Sequence, residues 1–380
     1  MNYEIMTNSC DTYIEFKNGK KRPLSQGKIP VYGGNGILDY CDDWNNDGNT
    51  VIIGRVGAYC GSIYYSSGKC WVSDNAIAAK ANDNADPKFI YYALLSANLN
   101  NLRIGSSQPL LTQEILRQLQ LAFPSLSSQQ AIARILSSFD DKIELNNRVN
   151  KTLEEIAQTL FKRWFVDFEF PDENGNPYKS SGGKMIESEL GMIPEGWIAS
   201  SLSFIILNFD SKRVPLSSRE REKLEKIYPY YGAASQLDFV DNYLFDGIYV
   251  LMGEDGTVIM DNGTPMLQYV WGKFWVNNHA HILQGKAFIS TEYVYLLLRQ
   301  TNIVHIVTGA VQPKITQKNM NELPAVLPSA EVAKHFRQQT TNLFGLLRSS
   351  SDEIKKLAQI RDTLLPKLMS GEIRIPFTEE

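Results

Sequence analysis

The chain has 380 residues, 43% of them apolar, and a formal net charge of -4. That length suits two or three domains with a core in each. The bulk charge is mildly repulsive to phosphate, so any nucleic-acid surface has to come from local clustering. Cys10, Cys41, Cys60 and Cys70 show no C-x-x-C spacing, which argues against zinc and for reduced thiols in a cytoplasmic protein. No apolar run is long enough to span a membrane, so no membrane partner is expected.

Residues 1–125 read as a β-rich domain: short runs such as Thr50–Ile53 and Ser62–Tyr65 are punctuated by Gly33, Gly34, Gly36, Gly54 and Gly57. A helical patch from Pro87 and an irregular Gly105–Pro109 loop follow. Ser127 with Gln130 then predicts a capping box opening a long helix over 126–170. Its apolar residues Ile132, Phe139, Leu153 and Leu160 share a seven-residue spacing with Asn146, which predicts a coiled-coil seam with one polar residue fixing register. A polar, glycine-rich linker over 171–192 separates this helix from a second domain at 193–328. A second long helix, 329–371, and a short tail, 372–380, complete the chain.

The second half replays the first. Tyr32-Gly33, Gly54 and Gly57 match Tyr231-Gly232, Gly253 and Gly256 at an offset of 199. Trp71-Val72, Gln108-Pro109 and Thr112 match Trp275-Val276, Gln312-Pro313 and Thr316 at 204, as do Ile156 and Ile360. The expected fold is therefore α+β, with two tandem β-rich domains, each followed by a long helix, and the two helices packed as an antiparallel coiled coil. Phe139, Ile143, Leu153, Phe161 and Trp164 of the first helix, with Leu343, Leu357 and Leu364 of the second, are the expected pairing and subunit-docking residues. The sequence leaves open whether outer apolar residues such as Phe161 and Trp164 are covered within the chain or only in an assembly.

No catalytic constellation emerges. Asn176-Pro177-Tyr178 lies in the linker and reads as a turn, and Gly33-Gly34-Asn35-Gly36 sits between short strands, where a turn is the better reading than a phosphate cradle. His279 and His281 would share a strand face, but no third ligand is evident, so no metal site is expected. What duplication does favour is reading: two related domains whose frames persist while residues such as Arg55-Val56 against Glu254-Asp255, or Leu110 against Lys314, diverge. A protein-binding scaffold with duplicated domains braced by a coiled coil is the alternative.

Several segments carry a resemblance. Leu136–Asn146, Leu160–Phe168, Ser188–Trp197 and Leu364–Ile373 together resemble the specificity (S) subunits of type I restriction-modification systems, over almost the whole chain. The first domain lacks the Pro-x-Gly-Trp entry of Pro194–Trp197, so its start is either trimmed or built differently. The resemblance implies a non-catalytic subunit whose two target-recognition domains each read half of a bipartite double-stranded DNA sequence. It implies that the helices set the spacer and dock two modification subunits, which carry S-adenosylmethionine, and through them ATP- and Mg-dependent restriction subunits. No cofactor is expected on this chain.

For DNA contact, the matched loops Gly105–Leu111 and Gly309–Ile315 are the candidates, through Ser106, Ser107, Gln108 and Gln312. A glutamine there is suited to adenine, or merely stabilises its loop. Lys314, Arg55 and Arg103 suit phosphate or guanine. The basic runs Lys20, Lys21, Arg22 and Lys212, Arg213 are either phosphate contacts or solvated charge.

Overall fold

The computed structural model describes residues 6–105, 109–309 and 311–375. It divides into two compact units, Met1–Asn146 with Asp352–Glu380, and Asn147–Ser351. Each long helix thus contributes one part to each unit.

In the first unit, Thr50–Gly54 is central to a four-stranded antiparallel sheet, between Ala76–Ala81 and Ile63–Ser66, with Ile14–Asn18 at the edge. All five residues of Thr50–Gly54 are buried, as expected of a strand covered on both faces. A smaller sheet orders Gly36–Cys41, Ile29–Gly33 and Trp71–Val72, the last pair parallel. Helix Pro87–Ser96 covers the core; Asp86 accepts from the Phe89 N–H at 2.8 Å and Pro87 opens the first turn, where a missing N–H costs nothing. All four cysteines are buried free thiols.

The second unit is not a plain copy. Phe245–Gly253 and Leu267–Val276 run nine and ten residues and weld the two sheets into one of six strands. In the first unit the corresponding run is cut into Ile63–Ser66 and Trp71–Val72 by a bend at Ser67-Gly68. The short strands expected of residues 1–125 are found in the first unit, and the second departs from them at these two strands.

The domain entries correspond. Met6–Ser9 pairs with Gln120–Phe123 as Ile198–Ser201 pairs with Pro324–Leu327. The counterpart of Pro194–Trp197 would fall on residues 2–5, outside the described residues.

The long helices, Leu126–Phe165 and Ala330–Met369, each have 40 residues, which is about 60 Å of helix. The first is not opened by the predicted Ser127/Gln130 box. Ser125 does that work, its hydroxyl accepting from the Ser128 N–H at 3.4 Å, and Ser329 serves the second helix through Val332 at 3.3 Å. Gly371, with φ of 74°, terminates the second helix.

Within the first unit, Asn146 donates to Glu353 at 2.7 Å, and Asp140 joins Arg361 and the Tyr92 hydroxyl, each at 2.5 Å. Leu365 and Leu368 enter the same core as Ile132 and Leu136. Within the second unit, Asn150 meets Ser351 at 3.1 Å, and the rings of Phe161 and Trp164 lie 5.9 and 5.6 Å from Phe336.

These contacts correct the predicted seam. Phe139, Ile143, Leu153, Leu343, Leu357 and Leu364 are only half-buried, whereas Leu136, Asn146, Ala157, Phe336, Thr340 and Leu365 are buried. Phe161 and Trp164 need no assembly to cover them, since they belong to the second unit's own core.

The linker is likewise ordered. Tyr178 stacks on Phe170 at 4.5 Å and Phe170 on Trp197 at 5.1 Å, and Asp172 accepts from the N–H groups of Asn174 and Asn176. Asn176-Pro177-Tyr178 is thus a packed turn, and Met185–Ser188 and Gly191–Pro194 form a hairpin after it. Among the described residues no helix is long and apolar enough to cross a membrane.

Candidate nucleic-acid interface

In each unit the end of the central strand gathers the same neighbours. In the first, Arg55 donates its N–H to Asn75 and accepts from Leu111, both at 2.9 Å, while the Gly57 N–H reaches Pro109 at 3.0 Å. In the second, Glu254 donates to His279 and accepts from Ile315, both at 2.8 Å, and Gly256 reaches Pro313 at 3.0 Å. The loop bases are closed by matching bridges, Ile104 with Leu110 and Thr308 with Lys314, and Gly105 and Gly309 share a left-handed backbone at φ of 85° and 86°.

The hairpin tips also reach this edge: the Ser62 hydroxyl donates to Gly34 at 2.5 Å. Approach is so close that a Cβ on Gly54 would lie 2.2 Å from the Tyr59 carbonyl oxygen, hence glycine there and at Gly253. The result is one backbone edge built twice, with different side chains mounted on it.

On the first edge, Arg55 is half-buried, Arg103 is exposed, and Val56 and Tyr59 present exposed apolar surface. Burial raises the Cys60 thiol pKa, partly offset by the Arg103 charge. Ser106, Ser107 and Gln108 lie outside the described residues. Lys20 and Lys21 are exposed, and Arg22 pairs with Asp39 at 3.3 Å on the open surface.

On the second edge, Gln312 and Lys314 are exposed and Lys212 is exposed beside Phe209. Arg213 is not available to a phosphate. Its side chain is only 15% exposed; it holds Glu254 at 2.5 Å, donates to the Ala280 carbonyl at 2.8 Å and lies 3.7 Å from Asp210.

The third ligand-type residue missing from the sequence reading exists in space. Asp210, Glu254 and His281 converge, drawn from segments far apart in the chain. They do not suit a metal, because the cation is already supplied. His281 Nε2 faces the Ile315 carbonyl at 2.9 Å, which can only accept, so this nitrogen carries a proton. Nδ1 faces the Asp210 carboxylate at 2.6 Å. Burial pushes the Asp210 pKa up, but the hydrogen bond and charge of His281 and the Ile282 N–H outweigh it and hold the carboxyl below 3.8. Both ring nitrogens of His281 are thus engaged by acceptors, and Arg213 supplies the cation of this buried network. His279 is separate from it, hydrogen-bonded to Asp255 at the surface.

The profile of the family described as "Type I restriction modification DNA specificity domain" matches residues 13–155 and 195–346, once in each half. The chain belongs to this family. It is 27% identical over 317 residues to the type I restriction enzyme MjaIX specificity subunit of Methanocaldococcus jannaschii, covering 77% of this chain and 70% of that one. It is 25% identical over 366 residues to the HindI specificity subunit of Haemophilus influenzae, covering 76% and 77%. The crystal structure of a type I restriction-modification S subunit from M. genitalium shares the fold, with a TM-score of 0.65 at 19% identity over 99% of this chain and 98% of that one.

Proposed function

We propose that this chain is the DNA-reading subunit of a type I restriction-modification complex, and that each domain reads one half of a bipartite duplex sequence through its loop edge. The observation that carries this reading is the duplicated edge: the same hydrogen-bonded frame presents Arg55, Val56 and Leu110 in one domain and Glu254, Asp255 and Lys314 in the other. A constant frame with variable side chains is what two different base sequences require. Lys20, Lys21, Arg22, Arg103, Lys212, Gln312 and Lys314 remain candidates for DNA contact, as do Ser106, Ser107 and Gln108. Arg213 leaves that set, because its guanidinium serves Glu254.

The long helices are proposed to pair as an antiparallel coiled coil that sets the spacer. Support comes from side-chain contacts in which residue numbers rise along one helix as they fall along the other, Asp140 with Arg361 and Asn146 with Glu353 in the first unit. Docking of two modification subunits falls on exposed helix surface such as the shallow apolar concavity around Thr152, Ile156 and Thr159. Those subunits would bring S-adenosylmethionine and adenine methylation, and restriction subunits would bring ATP- and Mg-dependent cleavage. Such a complex works on cytoplasmic DNA.

The test is methylome sequencing of a host expressing this chain with its modification subunit. A new bipartite methyl-adenine motif is expected, and exchanging residues 1–125 should change one half of it. A stable complex that marks no motif would favour the scaffold reading.

A further inference from the structure

Positions 55 and 254 occupy the same place in the two edges, fixed by the same pair of backbone hydrogen bonds. Their side chains are in opposite situations. Glu254 is neutralised from within its own domain: Arg213 lies at 2.5 Å and Lys314 at 3.5 Å, with the His281 ring 3.7 Å away. The counterparts of His281 and Lys314 in the first domain are Ile77 and Leu110, which carry no charge.

Among the described residues Arg55 accordingly has no ion pair, and its Nε, shielded from solvent, has no hydrogen-bond partner there. A guanidinium with one nitrogen unsatisfied and no acid beside it is costly to the free protein, and acceptors that a ligand offers to its remaining N–H groups would offset that cost. Around Arg55 the edge is apolar and cationic, with Val56 and Tyr59 exposed and Arg103 at the foot of the loop. A half-buried guanidinium with no internal acid to satisfy it, mounted beside exposed apolar side chains, suits the flat edge of a base.

We propose that Arg55 reads a guanine in the first half of the DNA target, its guanidinium donating to O6 and N7 in the major groove, and that position 254 reads no base in the second half. This rests on the DNA-reading function proposed above. It names the base pair that the first domain requires and the framework position that requires it.

The experiment compares methylation motifs of the complex of full-length chain and modification subunit, with Arg55 native, Arg55→Gln and Arg55→Lys. The native motif should contain a G·C pair in the half that follows residues 1–125. Arg55→Gln should relax that one position or shift it towards A·T, lowering discrimination there about 10- to 100-fold and leaving the second half unchanged. Arg55→Lys should keep the base with weaker discrimination.

A native first half without G·C overturns the proposal. So does an unchanged motif in Arg55→Gln with uniformly weaker binding and a shallower salt dependence, which identifies a phosphate contact. Should the Gln variant fail to assemble, the Lys variant decides, since undiminished discrimination there also overturns the proposal. A native complex that marks no bipartite motif would instead refute the DNA-reading function itself.

Discussion

At the scale of single residues, the second edge depends on a buried charge network whose members are 1–15% exposed at the side chain: Asp210, Arg213, Glu254 and His281. Removing one partner from such a set leaves the others uncompensated. Asp210→Asn should therefore destabilise the second unit by about 3 kcal/mol at neutral pH. The pH dependence has a definite sign. The folded carboxyl sits below its ordinary value of 3.8, so its contribution is complete above that value and disappears as pH falls through the folded pKa. Urea denaturation of both proteins at several pH values should show a gap that is constant near neutrality and closes in acid. A gap equally large in acid and at neutrality would mean that the carboxylate charge is not what matters. Sequence disclosed His279, His281 and the exchange of Arg55 for Glu254, but not this network. Apart from Asp210 and Arg213 its members lie dozens of residues apart, and only the sheet register that sets Gly253 opposite Ala280 brings Glu254 beside His281.

At the scale of elements, the two long helices start and stop at one constant offset, yet the groups they bury have diverged. The Tyr92, Asp140 and Arg361 triad of the first unit corresponds to Leu296, Phe344 and Ala157 in the second, where Phe344 packs on Tyr269 and Tyr295 instead. Asp140 and Arg361 are about a quarter exposed, so Asp140→Asn should cost only about 1–3 kcal/mol. The triple substitution Tyr92→Leu, Asp140→Phe, Arg361→Ala should cost less than Asp140→Asn alone, because it removes every polar partner and restores an apolar packing that the second unit already uses. Denaturant midpoints decide it; a triple variant weaker than the single one would show that the hydrogen bonds matter more than the packing. The helices were legible in the sequence because some forty residues of amphipathic pattern admit no other reading. Their buried faces were not, since a seven-residue spacing assumes that a helix faces one partner helix along its length. Here Ile132 and Leu136 face a domain core, and so do Phe161 and Trp164, which pulls the buried stripe away from Phe139 and Leu153. The packing of the linker was hidden for a related reason: its composition, rich in glycine and polar residues, masks the one ring, Tyr178, that joins the flanking Phe170 and Trp197 in a stack.

At the scale of the whole molecule, the order of domains in the sequence is not the order of compact units. The first unit is completed by Asp352–Glu380, more than two hundred residues beyond its other part. Leu365 and Leu368 are buried there among Ile132, Leu136 and Phe89, with Ile373 and Ile375 packed against them, and Arg361 closes on Asp140. The two buried leucines alone account for roughly 3–6 kcal/mol of hydrophobic stabilisation, a sizeable part of what a domain of this size retains. Ending the chain at Ser351 should therefore damage the domain at the opposite end of the sequence and spare the second unit, which keeps Phe336, Phe344 and its share of both helices. Limited proteolysis and hydrogen exchange should show residues 6–105 losing protection in the truncated chain while 193–328 keep theirs. In a complex with modification subunits, the same truncation should erase the first half of the methylation motif before the second. If protection were instead lost first in the second unit, the C-terminal helix would have to belong energetically to the domain that precedes it in sequence.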